Sequence, residues 1–383
     1  MTRRRPRRRV TVIAVACLMT VVMAGCGSGT SADDDRTQDD AWTPSTPARP
    51  LPDGWRWESF GGVQVGVPGD WGWDNGSQRI SQWCVDGRPA QPGPAVGRPG
   101  VSTLVACRDV DEGVPSEMLV RRTGEIVAFE PITGDPPPPD QGDRRTVTVG
   151  EVAVLIQTRD PQLRQRIAET VHEVDVDAYG CPADDPAAHR PQNRPPDVRD
   201  LADLVDGAGS SHIVVSACKY RIDYPDQPAD PPQLLASKLF TGSEAEELVD
   251  AILAARPGGG PNAPDQCKAE YAYGDELTVL HVHVAGQAGN EATGQRVVVT
   301  YSGCDHNGID DGHTVRRLHR DVLAPLSRDA LAFTDGFSAV LDNIICRRTD
   351  QRRKPPPELN ACPAIHSPSS LTSHATSRAA SSG

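Results

Sequence analysis

The sequence predicts an α+β fold made of small antiparallel sheets, each with a packed helix, arranged in duplicated disulfide-stapled units. Cys181 and Cys218 are 37 residues apart, Cys267 and Cys304 are also 37 apart, and the second pair follows the first by 86 residues. A strand-like run precedes an amphipathic helix at three places. A pattern typical of export indicates a compartment in which disulfides form.

Residues 1–25 carry the pattern of a lipoprotein export signal. Six arginines precede an apolar run, Val10 to Val22, which ends at Met23-Ala24-Gly25-Cys26. A charged head, a short apolar run and small residues before a cysteine are typical of such signals. A transmembrane anchor is the alternative, but the run is shorter than the roughly 20 apolar residues that span a bilayer. We predict a cleaved signal peptide at 1–25, with a twin-arginine route through Arg8-Arg9 as a variant.

Acylation of Cys26 predicts the location of the mature protein. Each buried methylene contributes about 0.8 kcal/mol, so several acyl chains, palmitate among them, hold a protein stably at a membrane. We expect a lipoprotein anchored by this lipid to the extracytoplasmic face of the cell membrane. Residues 26–52 are rich in Gly, Ser, Thr, Asp and Pro and predict a flexible tether.

Length and composition predict two folded domains. Residues 53–176 are expected to form an N-terminal α+β domain, and residues 177–329 a C-terminal α+β domain that contains the two cysteine-spaced repeat units. Residues 330–383 become rich in Arg and Pro and then in Ser and Thr, which predicts a mostly disordered tail.

The acidic charge balance excludes one class of partner. The formal net charge is −13 at pH 7, and removal of the six signal arginines brings it to −19. Because phosphate binding depends on clustered Lys and Arg, we expect no nucleic-acid partner.

All six tryptophans lie between Trp42 and Trp83, and all but Trp42 fall in the predicted N-terminal domain. Alternation from 55 to 59 and from 63 to 67 predicts two half-buried strands closed by a turn at Pro68. Alternation favours a core role, because each ring removes a large area from water. The alternative is a cell-wall polysaccharide platform built from Trp55, Trp57, Trp71 or Trp73.

Three helices are predicted after the strand-like runs at 151–157, 234–240 and 296–301. Asp160-Pro161 is an N-cap followed by proline at the first helical position. Ser243 and Glu246 have the spacing of a capping box. Asp310-Asp311 is expected to open the third helix. The apolar stripe of that helix would consist of Val315, Leu318, Val322 and Leu326.

The cysteines are predicted to pair within units. Eight remain after the signal and the acylated Cys26, and no Cys-x-x-Cys motif of a redox or zinc site occurs among them. Closing a loop of 37 residues contributes on the order of 3–4 kcal/mol by restricting the unfolded chain. The expected pairs are Cys84 with Cys107, Cys181 with Cys218, Cys267 with Cys304, and Cys346 with Cys362.

Four phrases resemble a group of uncharacterised actinobacterial lipoproteins and secreted proteins. They are Asp53-Gly-Trp55-Arg-Trp57-Glu-Ser, Gly97-Arg-Pro-Gly100, Glu270-Tyr-Ala-Tyr-Gly-Asp-Glu276 and the run Ser302 to Gly312. The resemblance covers residues 53–326. It implies no activity, because none is established for that group.

The densest polar cluster runs from Asp305 to His313. An EF-hand loop needs an oxygen ligand at its fifth position and glycine at its sixth, where this run has Ile309 and Asp310. The EF-hand motif therefore fails. We expect instead a turn of Asp and Asn side chains that caps the third helix.

His281 and His283 suggest one possible metal site. They flank Val282 on a predicted strand, so both rings would point to one face. A third zinc ligand would come from His306 or His313. The alternative is two exposed strand histidines on a polar face, and we predict neither a metal nor another cofactor.

Catalytic motifs are scarce. Ser216-Ala-Cys-Lys219 matches Ser-x-x-Lys, but it lies at a strand end beside an expected disulfide. We therefore expect a non-enzymatic binding or scaffold module, whose partner is an envelope protein or cell-wall polymer. Two alternatives remain open, the polysaccharide binder and an extracytoplasmic hydrolase or metal-dependent enzyme. The enzyme would use Asp275, Glu276, His281, His283 and the run from Asp305 to His313.

Overall fold

The chain is seen in a computed structural model that describes residues 50–75, 94–99, 125–132, 140, 142–195, 200–206, 213–222, 234–269, 272–284 and 293–333. Most of the predicted signal peptide, tether and tail lies outside the described residues. Predictions for those segments stay predictions. The same holds for Cys26, Cys84, Cys107, Cys346 and Cys362.

The strands, in chain order, are β1 (Trp55–Phe60), β2 (Val63–Pro68), β3 (Gly72–Asn75), β4 (Ala95–Arg98), β5 (Ile126–Pro131), β6 (Arg144–Val149), β7 (Val152–Gln157), β8 (His172–Glu173), β9 (Ile213–Arg221), β10 (Leu234–Thr241), β11 (Glu276–Val284), β12 (Thr293–Thr300), β13 (Gly308–Asp310) and β14 (Val315–Arg316). The α-helices are α1 (Pro161–Thr170), α2 (Pro186–His189), α3 (Leu201–Asp206), α4 (Ser243–Ala254) and α5 (Arg320–Leu323).

These elements form three sheets in an α+β arrangement, as the sequence predicts. The first sheet is antiparallel, in the order β1-β2-β8. The second has the order β3-β4-β5-β7-β6 and is mixed, because β4 pairs in parallel with both β3 and β5. The third is antiparallel, in the order β10-β9-β11-β12-β13-β14. The strands of the first two sheets come from residues 55–173 and those of the third from residues 213–316.

The described residues form four buried apolar clusters, of which the two largest are cores packed against these sheets. The valines of β2 join residues of β5, β7 and Ile167 of α1 in one core. The larger core covers one face of the third sheet, where α4 contributes Leu248, Val249 and Ile252 and α5 contributes Val322. Burying each such aliphatic side chain is worth about 1.5–3 kcal/mol, so α4 is fixed mainly by this contact.

The first two predicted helices are present, although only one cap is as expected. The Asp160 side chain accepts hydrogen bonds from the backbone N–H groups of Gln162 and Leu163 at the start of α1. The capping box at Ser243 is wrong, because Gly242 precedes α4 in the N-cap position and no side chain caps this helix.

The third predicted helix is wrong over most of its length. Residues 308–316 form a β-hairpin instead, in which β13 pairs with β14, and α5 begins only at Arg320. The Asp311 side chain explains the difference, because it accepts hydrogen bonds from the backbone N–H groups of His313 and Thr314 and closes a turn. An Asp that ties a turn in this way competes with helix formation.

Two of the predicted disulfides are present within the described residues. Cys181 is joined to Cys218 inside β9, and Cys267 is joined to Cys304 in the loop after β12. The two disulfides have the same sequence separation, but Cys218 lies in a strand and Cys304 lies in a loop.

Among the residues that the structure describes, no helix combines the length and apolar character needed to cross a bilayer.

Candidate functional site

A groove of about 310 Å³ lies at the β12–β13–β14 edge of the third sheet. Val298, Thr300, Asp310 and Val315 line it from one face of these strands. Residues 191–195 line it from a loop distant in sequence. Tyr273 and residues 305–308 line it from the loops around the second disulfide.

Hydrogen bonds hold the loop from 303 to 308 in place. The backbone N–H of Asp305 donates to the carbonyl of Ala272 at 2.9 Å. The buried Asn307 side chain donates to the carbonyls of Pro261 and Gly303 and accepts from the Gly303 N–H. The disulfide at Cys304 adds a covalent link to this loop. The groove is therefore bounded by a preorganised loop, which reduces the ordering cost of binding a ligand.

Two glycines let the loops approach each other closely. A Cβ on Gly303 would overlap the carbonyl oxygen of Ala272, and a Cβ on Gly274 would overlap the Ser302 side chain. Gly274 also has a φ of +78°, which L side chains rarely adopt. The position of Tyr273 at the groove therefore depends on glycine at positions 274 and 303.

Tyr273 and His306 form a stacked pair at the groove. Their ring centroids are 4.5 Å apart and the planes differ by 10°. His306 has a φ of +55°, in the left-handed region, and 52% of its side chain remains exposed. Partial burial and the nearby Asp305 carboxylate raise the pKa of Tyr273. Both effects favour the protonated phenol.

Charges in the groove are mostly compensated. Arg194 donates from Nε and Nη2 to the two carboxylate oxygens of Asp310, at 2.8 and 2.7 Å. Asp305 accepts a hydrogen bond from the Asn262 side chain at 2.7 Å. Arg194 is the only lysine or arginine among the described groove residues.

His281 and His283 lie elsewhere, on the β11 face that packs against residues 181–188. Their rings are nearly parallel and on one side of the strand, as predicted, with centroids 6.3 Å apart. The expectation of an exposed polar face is wrong for His283, which is 5% exposed. Across the sheet His281 pairs with Arg296, whose guanidinium forms an ion pair with the buried Asp185.

Burial keeps both of these imidazoles neutral. It lowers the pKa of His281 to about 3, with the Arg296 guanidinium and His283 adding to the effect, and it lowers the pKa of His283 to about 4.

The predicted third zinc ligands do not join this pair. His306 stacks on Tyr273, and His313 lies 3.6 Å from Asp200. Among the residues that the structure describes, no group of three His, Cys, Asp or Glu side chains is arranged to hold a metal ion.

Glu276 lies on the opposite face of β11 from the histidines. Its carboxylate pairs with Lys219 at 2.8 Å and accepts a hydrogen bond from the Tyr301 hydroxyl at 3.0 Å. Ser216 and Lys219 are three residues apart on β9, so their side chains point to opposite faces. The formal Ser-x-x-Lys match therefore does not bring a nucleophile and a base together.

Of the candidate tryptophans, two belong to the core. Trp57 and Trp71 are 7% and 4% exposed, which removes their faces from contact with a sugar. Trp73 is partly buried and donates its indole N–H to Glu58 at 2.8 Å. Trp55 is partly buried, with Arg166 over its ring.

Sequence reasoning found only one side of the groove. It selected Asp305, His306 and Asp310 from their density of polar side chains. It missed Asn262, and it missed residues 191–195, which meet the cluster only in the folded chain. The two prolines and Asn193 of the latter segment are a signal for a loop, but they carry no indication of which residues it contacts.

Comparison of the chain with protein-family models, with curated proteins and with solved structures finds no significant match.

Proposed function

We propose that this chain is a lipid-anchored extracytoplasmic binding protein, and that the groove between residues 191–195 and 305–308 is its ligand site. The observation that carries the proposal is the groove itself. Its volume of about 310 Å³ lies at the lower end of the roughly 300–1,000 Å³ range of ligand pockets.

Two further observations support the proposed extracytoplasmic location of the protein. The Cys26 signal pattern indicates export with a lipid anchor. The two disulfides agree with an oxidising compartment, because such links are rare in proteins kept in the cytosol.

The distribution of ionisable groups supports binding over catalysis. Glu276 is held by Lys219 on one face of the third sheet, and His281 and His283 lie on the other face. Neither histidine lines the groove, where Asp305 and His306 lie. A hydrolytic site would need its acid, its base and its nucleophile or activated water within reach of one substrate bond, and the residues predicted for it are divided between separate places.

Replacing Cys26 with alanine is expected to release the protein from the membrane, since we propose that the acyl chains link the mature chain to the bilayer. Membrane and supernatant fractions of cells that produce the native and C26A chains are compared by immunoblot. The Cys181→Ser variant is the control, because it removes a different cysteine and keeps the anchor. Equal membrane retention of the C26A and native chains contradicts the proposal.

A further inference from the structure

The groove combines an aromatic plane with neutral hydrogen-bonding groups. One face of the His306 ring is covered by Tyr273, half of the side chain is exposed, and the residue lines the groove. The ring edges of a sugar carry hydroxyls, whereas its C–H bonds form an apolar face that packs on an aromatic plane. The His306 ring offers such a plane.

The polar lining matches hydroxyl groups. Gln192 and Asn193 are exposed at the groove and carry amides that both donate and accept hydrogen bonds, as does the hydroxyl of Thr300. Asp305 adds an acceptor with 38% of its side chain exposed. A hydroxyl likewise donates one hydrogen bond and accepts others, so this lining complements a polyol without requiring it to be charged.

The charges of the groove disfavour an anion. The Arg194 guanidinium already donates to both carboxylate oxygens of Asp310. To bind an anionic ligand, it would have to give up these hydrogen bonds. Asp305 lies beside the open His306 ring and would repel a carboxylate or phosphate. An apolar ligand would leave the Gln192 and Asn193 amides without hydrogen-bond partners, which costs about 1–3 kcal/mol for each buried group.

The backbone at His306 also singles out this residue. A left-handed φ is uncommon outside Gly and costs on the order of 1–2 kcal/mol, although His, Asn and Asp adopt it more often than other residues. The surrounding loop holds His306 there through the Asp305 and Asn307 hydrogen bonds. A strained residue that is held with its ring against a groove is a feature of ligand sites.

The geometry points to a neutral saccharide as the ligand of this groove, with His306 stacking on the sugar ring and the Gln192, Asn193 and Asp305 side chains bonding its hydroxyls. This inference rests on the proposed binding function and names its ligand class. The volume suits on the order of one or two sugar rings, such as the end of a polymer chain.

The test is saturation-transfer NMR on the full mature chain in detergent, with a panel of neutral methyl glycosides of hexoses and pentoses and of their disaccharides. We expect transfer to the ring C–H protons of at least one glycoside. His306→Asn tolerates the left-handed backbone but removes the flat ring, and it should weaken binding at least tenfold. His306→Phe restores a ring, but the left-handed backbone disfavours Phe, so it should recover only part of the binding.

His319→Asn is the matched control, because His319 is exposed, lies outside the groove and caps α5 as asparagine also can. It should bind like the native chain. Circular dichroism tests whether each variant is folded. If the His306→Asn chain is unfolded, Asn193→Ala on the opposite side of the groove takes its place.

Absence of transfer from every glycoside overturns the saccharide assignment. So does tighter binding of glucuronate or of methylamine, or equal binding by the native and His306→Asn chains. None of these results affects the lipid anchor, which the Cys26→Ala fractionation measures separately.

Discussion

Replacement of Glu276 by glutamine is expected to lower the free energy of unfolding by about 3–5 kcal/mol, the usual cost of removing one partner from a buried ion pair. Glu276 and Lys219 are 0% and 2% exposed, and their charged atoms are 2.8 Å apart. The variant leaves the Lys219 ammonium in the core without a carboxylate. Equilibrium urea unfolding of the native and E276Q chains measures the loss.

Two companion variants make this prediction specific. Adding Lys219→Met to E276Q should recover at least half of the lost stability, because no unpaired charge then remains buried. Asp329→Asn breaks the partly exposed Lys238–Asp329 pair, of similar length at 2.9 Å, and should cost about 0–1 kcal/mol. Equal losses for E276Q and D329N would contradict the account of the buried pair.

Acidification from pH 7 to pH 5 is expected to destabilise the fold through His281 and His283. Their pKa values are lowered to about 3 and about 4 in the folded chain, against about 6.5 when unfolded. Between the folded and unfolded pKa values, the unfolded chain binds more protons than the folded chain. The stability that depends on neutral His281 and His283 is therefore fully present above about pH 6.5 and is lost as the pH falls. By linkage, each histidine contributes about 2 kcal/mol to the loss over this interval.

The comparison with a double variant isolates this effect. Asp177 and Asp185 have raised pKa values from burial and act in the opposite direction, and both remain in His281→Gln/His283→Gln. The double variant should therefore show a pH dependence smaller by about 4 kcal/mol, measured by urea unfolding at both pH values. A double variant with the same pH dependence as the native chain would be the contrary result.

Local signals predicted those elements whose cause is local. Asp160-Pro161 specifies the start of α1, because the side-chain cap and the proline both act within the first turn. The third helix failed for a local and a tertiary reason. Leu318 and Val322 keep a helical spacing, but Asp311 closes a turn and forms a buried ion pair with Arg316. Pairing of β12 with β13 then outweighs the local helical preference.

The groove shows the limit of sequence reasoning more clearly. The cluster at Asp305 was recognisable as polar and turn-forming, which are properties of neighbouring residues. The Arg194–Asp310 pair joins residues 116 positions apart, and no spacing or composition encodes such a contact. The burial of His283 was missed for the same reason, since residues 181–188 cover that face of β11 only after folding.

The disulfides connect the compartment to the site. Cys267–Cys304 fixes the loop that carries His306, so the shape of the groove depends on the predicted oxidising environment. Reduced thiols at these positions would remove the disulfide link and one of the two supports for an extracytoplasmic location, the other being the Cys26 signal pattern.

Mass spectrometry of the native protein, digested without reduction, tests the central claim most directly. We predict an N-terminal peptide that begins at an acylated Cys26, together with the linked peptide pairs Cys181–Cys218 and Cys267–Cys304. An unmodified Cys26 inside a longer peptide, found with free thiols at those four cysteines, would contradict both the anchor and the stapled fold around the groove.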